Sequence, residues 1–192
     1  MTKLSDIEVN EENVKDAISR LHEHSAPGPD NVSNKILIKL KNEISYPLSV
    51  LYTKSLDESR IPADWRLSNV TPIFKKGSKA DPGNRRPVSL TSNVCKLMER
   101  VINGTLSDYL ERNVLENSQH GFRKGRSCQT NLIKFFDKVG GWLDEGKSVD
   151  VLYLDFAKAF DKVDHGRLIE KLAAEGVEGK LLAWLKDWLA GR

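Results

Sequence analysis

Apolar residues recur along the chain with periods that change from segment to segment. Val14, Ala17, Ile18 and Leu21 fall at i, i+3, i+4 and i+7 and predict a short amphipathic helix, roughly Glu11 to His22. Ser25-Ala26-Pro27-Gly28-Pro29-Asp30 follows. Two prolines around a glycine exclude a helix or strand interior, so this is a stiff loop. Ile36 to Ser59 reads as helical, with Pro47 breaking it or starting a second helix, and Ile61-Pro62 closing it. Val70 to Phe74 is β-branched and aromatic and predicts a strand. Lys75 to Asn84 reads as a turn and Arg85 to Leu90 as the return strand of a hairpin, an edge strand because of Pro87. Ser92 or Asn93 caps a long helix with Val94, Leu97, Met98, Val101 and Ile102 on its apolar face, ending near Asn113. A loop with Gly121 and Gly125 leads to a helix from about Cys128 to Glu145. Val149 to Asp155 has the uninterrupted apolar character of a strand buried on both faces. Two short helices complete the pattern, near Gly166 to Ala174 and Lys180 to Ala190.

A strand covered on both faces needs neighbours, and few candidates lie upstream. The chain is therefore expected to stop before its sheet is finished. With 192 residues and 39% hydrophobic content it can bury a real core. No apolar run approaches the roughly 18 residues of a membrane-spanning helix. The opening MTKLSDIEVNEENV lacks the apolar centre of a signal peptide, so an intracellular protein, nuclear and/or cytoplasmic and not secreted, is expected. Cys95 and Cys128 have no metal-ligand spacing and are expected as free thiols.

The net charge of +3 is unevenly placed. Arg60 to Arg86 carries +5 and Gln119 to Lys134 carries +4, leaving −6 for the remainder. Such local blocks point to contact with a polyanion at defined places, or else to solvated loops. Asp155 adds a carboxylate at the end of an apolar run, where it either caps the next helix or holds a cation. Phosphoryl-transfer sites bind Mg²⁺ through a few carboxylates together with substrate phosphates, and place cations beside those phosphates. Asp155, Lys75, Lys76 and Arg86 together suggest a nucleotide site.

Four separate blocks carry a resemblance. Ser25 to Asp30 is similar to a Lys-Ala-Pro-Gly-Pro-Asp loop. Val70-Thr71-Pro72-Ile73-Phe74-Lys75-Lys76-Gly77, with Asn84 to Ser92, is similar to a fingers hairpin. Gln119 to Ser127 (QHGFRKGRS) and Leu154 to His165 (LDFAKAFDKVDH) are similar to two further blocks, the last a palm motif. In that order they resemble the reverse transcriptase domain of non-LTR retrotransposons of the LINE, jockey and CR1 kind. A maturase- or telomerase-like relative shares the core, but the wording Lys158 to His165 favours the retrotransposon branch.

The resemblance implies an α+β fold, the fingers of a right-hand polymerase plus the first strand and helices of the palm. It divides the chain into an N-terminal helical segment 1–24, a fingers-like region 25–147 and the start of a palm 148–192. It makes Asp155 the first metal-binding aspartate, with the backbone carbonyl of Phe156 as a second ligand for Mg²⁺, or Mn²⁺ in its place. It puts Phe160 under the sugar, where a ring excludes a 2′-hydroxyl. Lys75 or Lys76, with Arg86, meets the incoming deoxynucleoside triphosphate, and Gly121, Phe122 and Arg123 contact the template or pocket. Asp161 and His165 are read as local structural groups. The implied partners are an RNA template, a DNA primer and deoxynucleoside triphosphates, with no membrane.

Two departures stand out. Arg85 occupies the place of a usual tyrosine, and no Asp-Asp pair or Gly-Xaa-Xaa-Xaa-Gln-Gly block occurs in these residues. One carboxylate and one carbonyl cannot hold two Mg²⁺ ions, so the chain is expected not to polymerise DNA without the missing palm and thumb. The alternative is a domesticated, non-enzymatic RNA- or DNA-binding module.

Overall fold

The computed structural model describes residues 3–191. Among the described residues, seven α-helices and one two-stranded antiparallel sheet follow in the order α1 (Glu11–Ser19), α2 (Asn34–Lys39), α3 (Lys41–Asp57), β1 (Ser68–Phe74), β2 (Arg85–Thr91), α4 (Asn93–Asn113), α5 (Cys128–Asp144), α6 (His165–Ala174) and α7 (Gly179–Leu189). The expected mixture of helix and sheet is present. Two compact units form, one from the chain up to Ser107 and from His165 onward, the other from Asp108–Asp164.

The caps explain where helices start. Asn10 accepts from the Asn13 amide while the Asn13 side chain accepts from the Asn10 amide, a reciprocal capping box. Ser33 caps α2 at Ile36, and Ser92 caps α4 at Cys95. Pro47 neither breaks a helix nor starts one; it lies inside α3, and the interruption falls at Leu40. A proline there costs about 3 kcal/mol. Packing of α3 on α1 and α7, with Tyr52 and Leu56 fully buried, overrides that cost.

The core of the larger unit joins Val14 and Ile18 of α1, Tyr52 and Leu56 of α3, Leu97 and Met98 of α4, and Leu181 and Trp184 of α7. Arg66 closes the far end of α7: it donates to the carbonyls of Asp187 (2.9 Å) and Ala190 (2.6 Å) and to the Asp187 carboxylate (2.7 Å). A cation on the last carbonyls of a helix satisfies groups that have no partner within it.

The Pro27-Gly28-Pro29 loop is seated at the junction of β2 and α4. A Cβ on Gly28 would stand 2.4 Å from the Thr91 carbonyl oxygen and 2.7 Å from the Ser92 nitrogen. Asn93 fastens the same loop by donating to the Val32 carbonyl at 2.8 Å. Two of the sequence blocks, 25–30 and 84–92, thus meet backbone to backbone. Cys95 is buried and Cys128 exposed, and neither forms a disulfide.

One expected element is absent. Val149 to Asp155 is not a buried strand: these residues join no ladder among the described residues, and Leu152, Tyr153 and Leu154 are each more than 80% exposed. The apolar pattern satisfies the side-chain requirement of a central strand, but a strand also needs neighbours for its N–H and C=O groups.

Gly28→Ala is expected to destabilise the larger unit by about 3 kcal/mol, because the new methyl meets backbone and not a movable side chain. Urea denaturation followed by circular dichroism measures it; a loss below about 0.5 kcal/mol shows that the loop does not pack as described.

Candidate nucleotide-site elements

The first group of predicted residues lies on the hairpin. Directly opposed pairs include Ile73 with Arg86 and Phe74 with Arg85. Side chains alternate between faces along a strand, so Arg85 and Arg86 belong to opposite faces of the ribbon. The Lys75 amide donates to the Asn84 carbonyl at 2.9 Å, extending the pairing by one residue. That continuation places Lys75 on the Ile73–Arg86 face. On the other face Lys79 Nζ stands 5.8 Å from the centre of the Phe74 ring, and Arg85 donates to the Lys79 carbonyl at 3.3 Å.

The turn is tied by polar side chains. Asp81 accepts from the Gly83 amide at 2.8 Å, and Asn84 donates to the Ser78 carbonyl at 3.1 Å. Gly77 takes φ +85°, and a Cβ there would meet the side-chain Nδ2 of Asn84 at 2.7 Å. Lys75, Lys76, Arg85 and Arg86 are all exposed.

The second group lies in the smaller unit. Arg123 holds the loop before α5. Its side chain is only 4% exposed, and it grips the Glu111 carboxylate with two donors, through Nε (2.7 Å) and through Nη2. Nη1 donates to the carbonyls of Glu116 and Gln119. A planar fork facing a carboxylate gives this bidentate geometry. The hydrogen bonds from Arg123 hold the Glu111 carboxyl below its usual range, and the same bonds raise Arg123. Arg123 is therefore occupied within its own loop and presents no guanidinium to solvent.

Next to it, Phe122 adopts φ +59° and is 95% exposed. An aromatic residue in the left-handed region carries backbone strain, which a loop fastened on both sides can sustain. Its ring meets that of Phe160 edge to face, centres 6.0 Å apart and planes at 87°. Phe160 is itself 78% exposed. Gly121 has nothing within 4 Å of where a Cβ would stand. Two sequence blocks, one carrying Phe122 and the other Asp155 and Phe160, thus touch through these rings.

Asp155 and Phe156 are exposed on the unpaired segment. No group of three or more His, Cys, Asp or Glu side chains among the described residues could hold a metal ion. The donors present, one carboxylate and one peptide carbonyl, do not fit a pair of Mg²⁺ ions, which demand near-octahedral oxygen shells.

Sequence reasoning did not single out Glu111 or His120. His120 is buried beside Thr130, with Nδ1 2.9 Å from the hydroxyl oxygen. The Thr130 hydroxyl also donates to the Ser127 carbonyl at 2.9 Å. Burial, and then Arg126, Lys134 and Arg123, push the His120 pKa below its usual value. An acid twelve residues before a loop arginine carries no spacing signal, because the intervening chain has no fixed period.

The chain belongs to the family described as reverse transcriptase (RNA-dependent DNA polymerase), whose profile matches residues 73–192. It is 32% identical over 92% of its length to the probable RNA-directed DNA polymerase from transposon BS of Drosophila melanogaster, covering 20% of that protein. It is 28% identical over 83% of its length to the RNA-directed DNA polymerase from mobile element jockey of the same organism, covering 18%. It is 27% identical over 87% of its length to the Pol polyprotein from type-1 retrotransposable element R1 of Bradysia coprophila, covering 16%. The chain thus spans a fifth or less of these relatives. Within the family it falls with the non-LTR, LINE-like elements. No described helix is long and apolar enough to cross a membrane.

Because Glu111 has its pKa lowered on folding, its contribution to stability is complete above about pH 4.5 and is lost as pH falls through the lowered value. The Arg123 Nε–H resonance is expected to stay sharp from neutral pH down to that point and to broaden below it. Glu111→Gln should broaden it at neutral pH; an unchanged signal in that variant refutes the pairing.

Proposed function

We propose that these residues supply the fingers and the first part of the palm of an RNA-directed DNA polymerase, and that by themselves they do not polymerise. The observation that carries the reading is the Phe122–Phe160 contact. It joins two blocks far apart in sequence at a point five residues beyond Asp155, where an incoming nucleotide needs a wall. A ring under the sugar leaves no space for a 2′-hydroxyl, and Phe122 buttresses Phe160 from the side.

On the hairpin, the face shared by Lys75 and Arg86 takes the triphosphate. Arginine offers a fork to phosphate oxygens and lysine a compact charge. This favours Lys75 over Lys76, which alternation assigns to the opposite face. Gly121 and Phe122 form the template side of the pocket, and Arg123 positions them through Glu111 instead of touching the template. Asp155 and the Phe156 carbonyl are this segment's share of a site for Mg²⁺, or Mn²⁺, whose remaining carboxylates come from outside these residues. RNA template, DNA primer and deoxynucleoside triphosphates are the partners.

Two measurements test this. Primer extension on an RNA template with the 192-residue chain, Mg²⁺ and deoxynucleotides should give no product; product that vanishes on Asp155→Asn overturns the claim of inactivity. Substituting these residues for the aligned segment of the jockey polymerase should give RNA-templated DNA synthesis. In that chimera Phe160→Ala should raise ribonucleotide use relative to deoxynucleotides by about 10²-fold, as expected when a pocket wall is removed. Active chimera with unchanged discrimination removes Phe160 from the gate.

A further inference from the structure

Arg126 and Lys134 converge on one backbone oxygen. Arg126 Nη1 donates to the Asn117 carbonyl at 3.2 Å and Lys134 Nζ to the same oxygen at 2.9 Å. Arg126 Nη2 also donates to the Asn117 side-chain oxygen at 3.1 Å. The two charged groups are thus no further apart than those two bonds laid end to end. Neither makes an ion pair among the described residues, and the sequence from Asn117 to Phe136 contains no acid. The nearest carboxylate in the loop's own network, Glu111, is already taken by Arg123.

Two like charges gathered on a neutral carbonyl repel each other, and the carboxylate that feels Arg126, Glu111, is bonded to Arg123. A phosphate group offers what the carbonyl lacks, a full negative charge with several acceptor oxygens. Lys134 is exposed and Arg126 half-buried, so both can be reached from solvent. His120 lies in the field of both, and its Nε2 is buried with no partner.

We propose that Arg126 and Lys134 form a clamp for a backbone phosphate of single-stranded nucleic acid, a site separate in its residues from the nucleotide pocket described above. The polymerase reading supplies only the choice of nucleic acid as the phosphate's source. His120 reports on occupancy without contact: a phosphate between the two cations cancels part of the field that disfavours its protonation, so its titration shifts upward.

Fluorescence anisotropy of a short oligouridylate with the 192-residue chain, across a range of salt, tests the clamp. Arg126→Gln and Lys134→Gln should each weaken binding and reduce the slope of log K against log salt by about 0.7. Arg126→Lys should keep the slope, which separates loss of charge from loss of loop structure. Ring-proton NMR should show the His120 titration moving upward on adding the oligonucleotide, and not moving in the double glutamine variant. An unchanged slope in the double variant overturns the clamp. So does a wild-type chain that does not bind the oligonucleotide, or one in which inorganic phosphate moves His120 as far as the oligonucleotide does at equal phosphate concentration. None of these failures touches the polymerase reading, which is decided by synthesis in the chimera; loss of binding confined to Lys75→Gln leaves that reading standing while removing the clamp.

Discussion

Two hydrogen bonds made inside the apolar core set the frame of the larger unit. Tyr52 donates its hydroxyl to the Val94 carbonyl at 2.8 Å, and Trp184 donates its indole N–H to the Ser55 hydroxyl oxygen at 2.9 Å. Ser55 donates its own hydroxyl to the Arg60 carbonyl at 2.6 Å. All three side chains are buried, so an unpaired donor here costs its full desolvation. Burial pushes the Tyr52 phenol far up, so it stays a neutral donor. Through these bonds α3 holds α4 on one side and α7 on the other. The hairpin grows from that frame: β2 runs into α4 at Ser92, where Gly28 and Asn93 lock the entering loop. Because the anchoring is all at its base, the ribbon itself projects with every residue of β1 exposed.

The smaller unit is held by a different kind of force. Arg123 and His120, both polar, are among its buried residues, and none of α5 is buried. Its order depends on the Arg123–Glu111 fork, the Ser127–Thr130 capping box and the contacts of Arg126 and Lys134 with Asn117. Leu132, Ile133, Phe136 and Leu143 of α5 stay exposed, as do Leu152 to Leu154. Few buried apolar contacts and many solvent-facing hydrogen bonds place this unit at the low end of local stability. It also leaves the strand-like backbone of Leu152 to Leu154 outside any ladder among the described residues.

Helix positions were legible because a 3.6-residue period is a property of the segment itself: α4, α5, α6 and α7 lie within a residue or two of where their apolar faces put them. The hairpin was legible for the same local reason, with Gly77 and Pro82-Gly83-Asn84 marking its turn. Pro47 was misread because its cost is local and its compensation, the packing of Tyr52 and Leu56, is not. Val149 to Asp155 was misread because a buried strand is defined by partners, and side-chain pattern records only what those partners ought to cover. The role of Arg123 was hidden in the same way: its partner Glu111 sits on the solvent-facing side of α4, and only the folded loop brings the fork to the carboxylate.

Arg85 shows how register decides what a departure from a family pattern can do. On sequence alone, arginine in the place of a tyrosine next to Arg86 loses an aromatic packing face and adds a charge. Register separates the two arginines: Arg86 pairs with Ile73, while Arg85 pairs with Phe74 on the reverse face. There the guanidinium donates to the Lys79 carbonyl and Lys79 covers the Phe74 ring. The lost aromatic surface is thus partly replaced by a cation over an existing ring, and the added charge is carried on the face away from Lys75 and Arg86. In the polymerase reading the substitution therefore alters the back of the ribbon and leaves its phosphate-facing pair intact. On that reading the ribbon is basic on both faces, and its salt-dependent attraction for nucleic acid is stronger than a tyrosine at this position would give.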